Sequence, residues 1–92
     1  MLICIDYDDT YTKMPELLDC IIQKSKDLKY RVILATMRYP QEIDDNFSKV
    51  MSKCDQTIFT GRKAKLPYLL TQGIKPDLWI DDNPIWLLNN SI

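Results

Sequence analysis

The sequence predicts an α/β fold in which a parallel sheet of four strands lies between two layers of helices. Short runs of consecutive apolar residues alternate along the chain with longer segments whose apolar residues recur every three or four positions. The short runs are typical of strands covered on both faces, and the longer segments are typical of amphipathic helices. Strands that alternate with helices form a parallel sheet through right-handed crossovers. We therefore expect a three-layer α/β/α, Rossmann-like domain spanning residues 1–92.

The four strands are predicted from short, mainly apolar segments. They lie at residues 2–5, 30–36, 56–60 and 78–80, with the sequences LICI, YRVILAT, QTIFT and LWI. The β-branched residues of the second segment favour a strand further, because their side chains pack well on a pleated sheet.

The helices are predicted between these strands, and proline marks the start of most of them. The first begins near Pro15, and the second begins at Pro40. A third short helix opens at Leu66 and Pro67 and ends near Gly73, and a last helical turn begins at Pro84. Proline is tolerated in the first turn of a helix, and glycine is common just after the end.

The absence of histidine excludes several kinds of active site. The 92 residues contain no His, which excludes histidine general bases, Ser-His and Cys-His nucleophiles and His-ligated zinc. Twelve basic and 13 acidic residues give a net charge of −1, which argues against tight non-specific nucleic-acid binding because that mode needs a basic excess. We therefore expect any chemistry to depend on carboxylates.

The cysteines and the apolar runs indicate the cellular compartment in which the protein is expected. Cys4, Cys20 and Cys54 are odd in number and lack C-x-x-C spacing, so we expect neither a disulfide framework nor a thiolate zinc site. The charge of Asp6 comes too early for a signal peptide, and no apolar run reaches the roughly 18 residues of a membrane span. We expect an unprocessed cytoplasmic protein that does not bind membranes.

Polar side chains follow each predicted strand at its carboxyl end. In open parallel sheets ligands bind beyond these ends, near the point where the chain order reverses. The residues are Asp6, Tyr7, Asp8, Asp9 and Thr10 after the first strand, Thr36, Met37 and Arg38 after the second, Arg62, Lys63 and Lys65 after the third, and Asp81, Asp82 and Asn83 after the fourth.

The acidic members of this set predict a Mg²⁺ site. Asp6 and Asp8 bring two carboxylates into one cavity, where a cation or a proton must offset their repulsion. Asp81 and Asp82 approach from a neighbouring strand, and oxygen ligands without nitrogen or sulfur suit Mg²⁺. A phosphate would complete the shell, with Thr36, the backbone amides after it, and a lysine contacting its oxygens.

These residues resemble the four motifs of the haloacid dehalogenase-like (HAD) superfamily of phosphohydrolases. The motifs are D-x-D-x-T after the first strand, Thr or Ser after the second, a lysine before the last core strand, and a terminal acidic pair. Here they stand as DYDDT at residues 6–10, Thr36 in ILATMR, a lysine in GRKAK, and the acidic pair in WIDDNP. The resemblance covers nearly the whole chain.

The resemblance implies a phosphomonoesterase that acts through an aspartyl-phosphate. Asp6 attacks phosphorus, while Asp8 protonates the leaving oxygen and then activates water. Thr36 and a lysine contact the phosphoryl group. We prefer Lys65, which directly precedes Leu66-Pro67, and keep Lys63 in reserve. The further implied residues are Met37, Arg38 and Lys63 for substrate, Thr10 as a brace for the turn, and, for the metal, Asp6, Asp8 through its backbone carbonyl, Asp81 and Asp82.

The short connections imply a capless form with an open site. Only six residues separate Asp8 from Pro15, which leaves no room for a cap or a full flap there. In this superfamily an open site often goes with large substrates or with a lid from another subunit. The I-D-D-x-P segment is also similar to that of the deoxyribonucleotidases, so we expect a nucleotide or a nucleic-acid terminal phosphate as the substrate.

Two other hypotheses stay open. The chain fits a non-catalytic or receiver-like module that senses phosphate or stores it on aspartate, although receiver domains place their acidic pair first and their lysine last, whereas this chain ends on its acidic pair. A third hypothesis is an interaction subunit whose site a partner completes.

Overall fold

The computed structural model describes residues 1–91, which form four strands and four helices. Two single turns lie between them. We call Tyr7–Tyr11 the acidic turn, and the other is a 3-10 turn at Pro40–Glu42. The strands are β1 (Leu2–Asp6), β2 (Arg31–Thr36), β3 (Gln56–Phe59) and β4 (Leu78–Ile80), and the helices are α1 (Pro15–Asp27), α2 (Asp45–Met51), α3 (Lys65–Thr71) and α4 (Ile85–Leu88).

The four strands form one parallel sheet in the order β3-β2-β1-β4. The chain builds outward from β1 through β2 to β3 and then crosses back to place β4 on the other side of β1. The chain order therefore reverses between β1 and β4, where open parallel sheets bind their ligands. Asp6 lies opposite Ala35, and Ile5 lies opposite Ile80, so the ends of these three strands meet at one edge.

Helices cover both faces of the sheet, which explains the continuous apolar runs of the strands. Alternate residues of β1 and β2 pack against α1 and α2 on one face, and the intervening residues pack against α3 on the other. The first cluster includes Ile3, Ile5, Val32, Leu34, Leu18, Ile22, Phe47 and Val50, and the second includes Cys4, Ile33, Ala35 and Leu69. Period-two alternation assigns the two sets to opposite faces.

The second helix differs most from the prediction. Pro40 begins only the 3-10 turn, and α2 begins at Asp45 rather than at Pro40. Ile43 is extended, and the carboxylate of Asp44 accepts a hydrogen bond of 2.8 Å from the backbone N–H of Phe47. Aspartate is a strong N-cap, so it starts the helix at its own position. None of the helices in residues 1–91 combines the length and the apolar character that crossing a membrane requires.

Candidate active site

The acidic turn carries the first group of site residues away from the end of β1. Asp8 is extended, with φ −66° and ψ 128°, and Asp9 is left-handed, with φ 62°. Aspartate tolerates the left-handed region better than most residues. The turn is anchored by the buried side chains of Tyr7, Thr10 and Tyr11. The chain therefore reverses sharply after Asp6 and presents Asp8 and Asp9 to solvent.

Lys65 joins the ends of β1 and β4 through two short ion pairs. Its Nζ lies 2.6 Å from Oδ1 of Asp6 and 2.7 Å from Oδ2 of Asp81. All three side chains are more than nine-tenths buried, with 4%, 8% and 3% of their surface exposed for Lys65, Asp6 and Asp81. Buried charges persist only when they are paired. The lysine chosen on its position before Leu66 thus reaches both carboxylates.

Burial has the largest influence on the pKa of Asp6. It raises the pKa of Asp6 to about 6, although the charge of Lys65 acts in the opposite direction. Burial also disfavours the charge of Lys65, but the charges and hydrogen bonds of Asp6 and Asp81 outweigh it and raise the pKa of the lysine. The lysine is therefore a fixed positive charge at neutral pH, next to a carboxylate whose solvation is poor.

Thr10 links the acidic turn to the acidic pair after β4. Its hydroxyl lies 2.9 Å from Oδ2 of Asp6 and 3.0 Å from Oδ1 of Asp82, and it accepts a hydrogen bond of 2.9 Å from the backbone N–H of Asp82. Thr10, which was predicted to brace the turn, therefore connects the ends of β1 and β4. The Oδ1 atom of Asp81 accepts from the backbone N–H of Asn83 at 3.0 Å, which orients that carboxylate.

Asp8 forms a two-pronged ion pair with Arg38, which follows β2. Nε and Nη2 of Arg38 donate to the two carboxylate oxygens of Asp8 at 2.9 and 2.8 Å. Nη1 donates to the carbonyl of Glu42 at 2.7 Å and lies 3.8 Å from Asp44. The guanidinium also lies 5.1 Å from the ring centre of Tyr7. Arg38, a predicted substrate contact, is thus already bound within the protein.

Thr36 ends β2 beside this group, and Met37 follows it. Thr36 is buried, and its hydroxyl accepts a hydrogen bond of 3.1 Å from the backbone N–H of Arg38. The carbonyl of Met37 accepts from the backbone N–H and from Nη1 of Arg62, each at 2.8 Å. Left-handed conformations at Gly61 and Arg62 make this contact between the two loops.

A cleft of about 250 Å³ opens over these strand ends. The lining residues that the sequence had singled out as site residues are Asp6, Asp8, Met37 and Asp82, and the others are Asp9, Asn83, Trp86 and Ser91. Asp9 and Asn83 lie inside the two acidic motifs, which is the sequence signal that could have found them. Nothing in the sequence pointed to Ser91, which arrives through a backbone hydrogen bond to Arg62.

Lys63 does not line this cleft. It is exposed and borders a separate cavity of about 390 Å³ with Pro67, Tyr68 and Asn90 among its neighbours. Its carbonyl accepts a hydrogen bond of 2.7 Å from the hydroxyl of Thr60, which closes the loop before α3. The structure therefore brings Lys65 to the acidic cluster and leaves Lys63 outside it.

Three carboxylates fit a divalent cation. Asp6, Asp81 and Asp82 each offer an oxygen, and these oxygens lie within 4.8 Å of one another. The carboxylate of Asp8 is not in this group, because Arg38 holds both of its oxygens. Three negative charges against the one positive charge of Lys65 leave an excess that a hard divalent ion with oxygen ligands would neutralise.

Comparison of the chain with family models, with curated proteins and with solved structures finds no match in any of the three.

Proposed function

We propose that the protein is a Mg²⁺-dependent phosphomonoester hydrolase that acts through an aspartyl-phosphate intermediate. The observation that carries the proposal is the contact of Lys65 with both Asp6 and Asp81 at the carboxyl ends of adjacent parallel strands. The order of motifs supports a minimal, capless HAD-like domain with three-layer, Rossmann-like architecture. The strand order β3-β2-β1-β4 is compatible with that assignment.

Asp6 is the proposed nucleophile. One carboxylate oxygen attacks phosphorus, the bond from phosphorus to the leaving oxygen breaks, and an aspartyl-phosphate forms. Asp8, protonated and released from its ion pair with Arg38, gives its proton to the leaving oxygen, so the product leaves as an alcohol. Asp8 then takes a proton from water as the water oxygen attacks phosphorus. This second step releases inorganic phosphate and restores Asp6.

Two neighbours of Asp6 have supporting roles in this proposal. Lys65 offsets the negative charge that gathers when a phosphate approaches Asp6, and its two ion pairs fix its position before the reaction. Thr36 accepts a hydrogen bond from the backbone N–H of Arg38, which leaves its own proton for a phosphoryl oxygen.

Asp6, Asp81 and Asp82 are the residues that would hold Mg²⁺, with the backbone carbonyl of Asp8 as the further ligand that the HAD motif implies. When bound, the ion supplies positive charge that stabilises the phosphoryl oxygens in the transition state. The substrate class stays a prediction: a nucleotide or a nucleic-acid terminal phosphate follows from the open, capless form. The phosphate of such a substrate would lie in the cleft of about 250 Å³ over the strand ends.

The test is phosphate release from p-nitrophenyl phosphate and from a panel of nucleotides and 5′-phosphorylated oligonucleotides with Mg²⁺. We expect turnover by the unmodified chain, and complete loss in Asp6→Asn and after addition of EDTA. Asp27→Asn is the matched control, because Asp27 ends α1 and its carboxylate is bound by Gln23 in place of any site residue. Activity that survives Asp6→Asn would refute the mechanism. Stable labelling of Asp6 by acetyl phosphate without turnover would support the phosphate-storing module.

A further inference from the structure

We propose that Trp86 is a specificity-determining residue whose indole stacks on the base of the substrate, and that this substrate is a nucleoside monophosphate. The inference rests on the proposed function, because it names the part of the substrate that lies beyond the phosphate. It is carried by the place of Trp86 in the cleft over the strand ends, which also contains the proposed nucleophile Asp6.

The two tryptophans of the chain have different surroundings. Trp79 lies on β4 and packs against the core cluster that includes Leu69. Trp86 lies on α4, packs against neither core cluster of residues 1–91, and lines the cleft instead. Its side chain is only partly buried, so a ligand can reach the ring. Aromatic side chains that line a cavity are typical of ligand sites.

Trp86 and Met37 give the cleft two apolar walls on either side of Asp6. Met37 follows β2 and Trp86 comes after β4, and β1, which ends at Asp6, lies between these two strands. The other residues that line the cleft carry carboxylate, amide or hydroxyl groups. A phosphate that approaches Asp6 therefore has beside it an apolar surface that the phosphate does not use. A flat base suits such a surface, because stacking on an aromatic ring needs no specific hydrogen bond.

The segment that carries Trp86 is fixed at both ends. At its start, the backbone N–H of Asp82 donates to the hydroxyl of Thr10 at 2.9 Å. At its end, the backbone N–H of Ser91 donates to the carbonyl of Arg62 at 2.6 Å. Between them, α4 packs against α3. A ring held in place before binding loses little freedom when a ligand stacks on it, which favours affinity.

The charge of the cleft favours a single nucleotide over a nucleic-acid end. Asp8, Asp9 and Asp82 line the cleft with carboxylates, and no lysine or arginine of residues 1–91 lines it. A polynucleotide would bring a further phosphate towards these carboxylates, and like charges repel one another. An uncharged base meets no such repulsion. The cleft therefore matches one phosphate joined to one nucleoside.

Calorimetric titration with two probes in the presence of Mg²⁺ tests the proposal. One probe is a phosphonate analogue of a nucleoside monophosphate, which is not hydrolysed, and the other is inorganic phosphate. We expect Trp86→Ala to weaken binding of the analogue by about 5- to 150-fold, the range for one stacked base, and to leave binding of inorganic phosphate unchanged. Trp86→Phe should keep most of the affinity, because it keeps a ring. Leu88→Ala is the matched control on the same helix, since Leu88 is 68% exposed and does not line the cleft.

Fluorescence shows whether the base lies on Trp86. The chain has two tryptophans, so in a Trp79→Phe variant the indole of Trp86 is the only one left. The nucleoside phosphonate should quench its emission, and inorganic phosphate should not. This measurement needs no turnover, and it tests the proposal even where Trp86→Ala does not fold. A dinucleotide that carries the same terminal phosphonate should bind more weakly than the single nucleoside.

Four results would overturn the proposal. They are an equal loss of affinity for both probes in Trp86→Ala, unchanged affinity for the analogue in that variant, absence of quenching by the analogue, and a dinucleotide that binds as tightly as the single nucleoside. Nucleotide turnover that Trp86→Ala leaves unchanged would refute the stacking and leave the hydrolase standing. Base-dependent binding to Trp86 without turnover of any phosphomonoester would instead refute the proposed hydrolase and leave the stacking standing.

Discussion

Asp6 is a buried carboxylate that the fold tolerates because Lys65 lies beside it. Removing a charge from water is expensive, and a single ion pair rarely repays that penalty in full. The raised pKa of Asp6, about 6, expresses the same balance, since burial outweighs the attraction of Lys65. A residue that reduces stability where it stands is typical of a functional site.

The cost of burying the charge of Asp6 predicts a pH-dependent effect of Asp6→Asn on stability in the absence of metal. The folded pKa of about 6 lies above the ordinary value of 3.8, so the folded state binds the proton more tightly, and ionisation reduces stability as the pH rises from 4 to 6. We compare the free energy of unfolding of the variant with that of the unmodified chain. The variant's value minus that of the unmodified chain should be about 2 to 3 kcal/mol larger at pH 8 than at pH 4.

Urea unfolding of both proteins with EDTA, at the two pH values, measures this change. Lys65 is protonated at both, because its pKa is raised, so its charge does not contribute to the difference. An equal difference in unfolding free energy at pH 4 and pH 8 would show that burial of Asp6 carries no such penalty.

At the scale of elements, a second polar group connects the acidic turn to the two helices on its face. The hydroxyl of Tyr11 donates to Asp19 on α1 at 2.6 Å, and Nζ of Lys53, just after α2, lies 3.1 Å from the same oxygen. Tyr11 is the last residue of the acidic turn. These contacts hold the turn against α1 and so support the placement of Asp8 and Asp9.

Asp19→Asn should therefore destabilise the protein in a pH-dependent way. The hydrogen bond from Tyr11, with a further one from Lys53, lowers the pKa of Asp19 from the ordinary value of 3.8, so its contribution to stability is complete above that value. The contribution is lost as the pH falls through the lower folded value. Thermal unfolding of both proteins from pH 7 to pH 2 measures this, and the difference should shrink towards the acid end. Asp27→Asn, on the last residue of α1, is the matched control.

At the scale of the whole molecule, topology rather than local sequence gathers the site. Lys65 lies 59 positions from Asp6 and 16 from Asp81, and the three meet because parallel strands end at one edge. The edge collects the negative charges of Asp6, Asp8, Asp9, Asp81 and Asp82. A cation bound there relieves their repulsion only in the folded chain.

Mg²⁺ should therefore raise the unfolding temperature. At a concentration ten times its dissociation constant, an ion that binds only the folded state adds about 1.4 kcal/mol, which for a domain of this size corresponds to about 5 to 10 °C. Scanning calorimetry with Mg²⁺ and with EDTA measures the shift. The double variant Asp81→Asn, Asp82→Asn should lose it, and the same shift in that variant would point to binding elsewhere.

The sequence predicted the strands and the residues at their ends well, because apolar runs and polar stops are local properties. Lys65 begins α3 and reaches Asp6 and Asp81, whereas Lys63 lies in the loop before it. Which of the two is the functional lysine stays a prediction. The start of α2 was missed because the N-cap of Asp44 competes with Pro40. These errors and successes all concern neighbours in sequence.

The partners of the charged side chains could not be predicted in the same way. The resemblance implied Arg38 as a substrate contact, and only the folded structure brings it to Asp8. The link from Thr10 to Asp82 spans 72 positions, and no periodicity in the sequence encodes it. Whether the site residues carry the proposed roles stays a prediction for the kinetic tests.

Because the strands are parallel, the loops at their amino ends lie away from the cleft at their carboxyl ends. Lys29 and Lys75 are exposed and lie in the loops that lead into β2 and β4, at the amino ends of the strands. Every residue of the cleft lies at or beyond the opposite ends of the strands. A fluorescent label or a solid support coupled through either lysine would therefore sit away from the cleft, which makes these positions suitable handles for immobilising the protein with the cleft accessible.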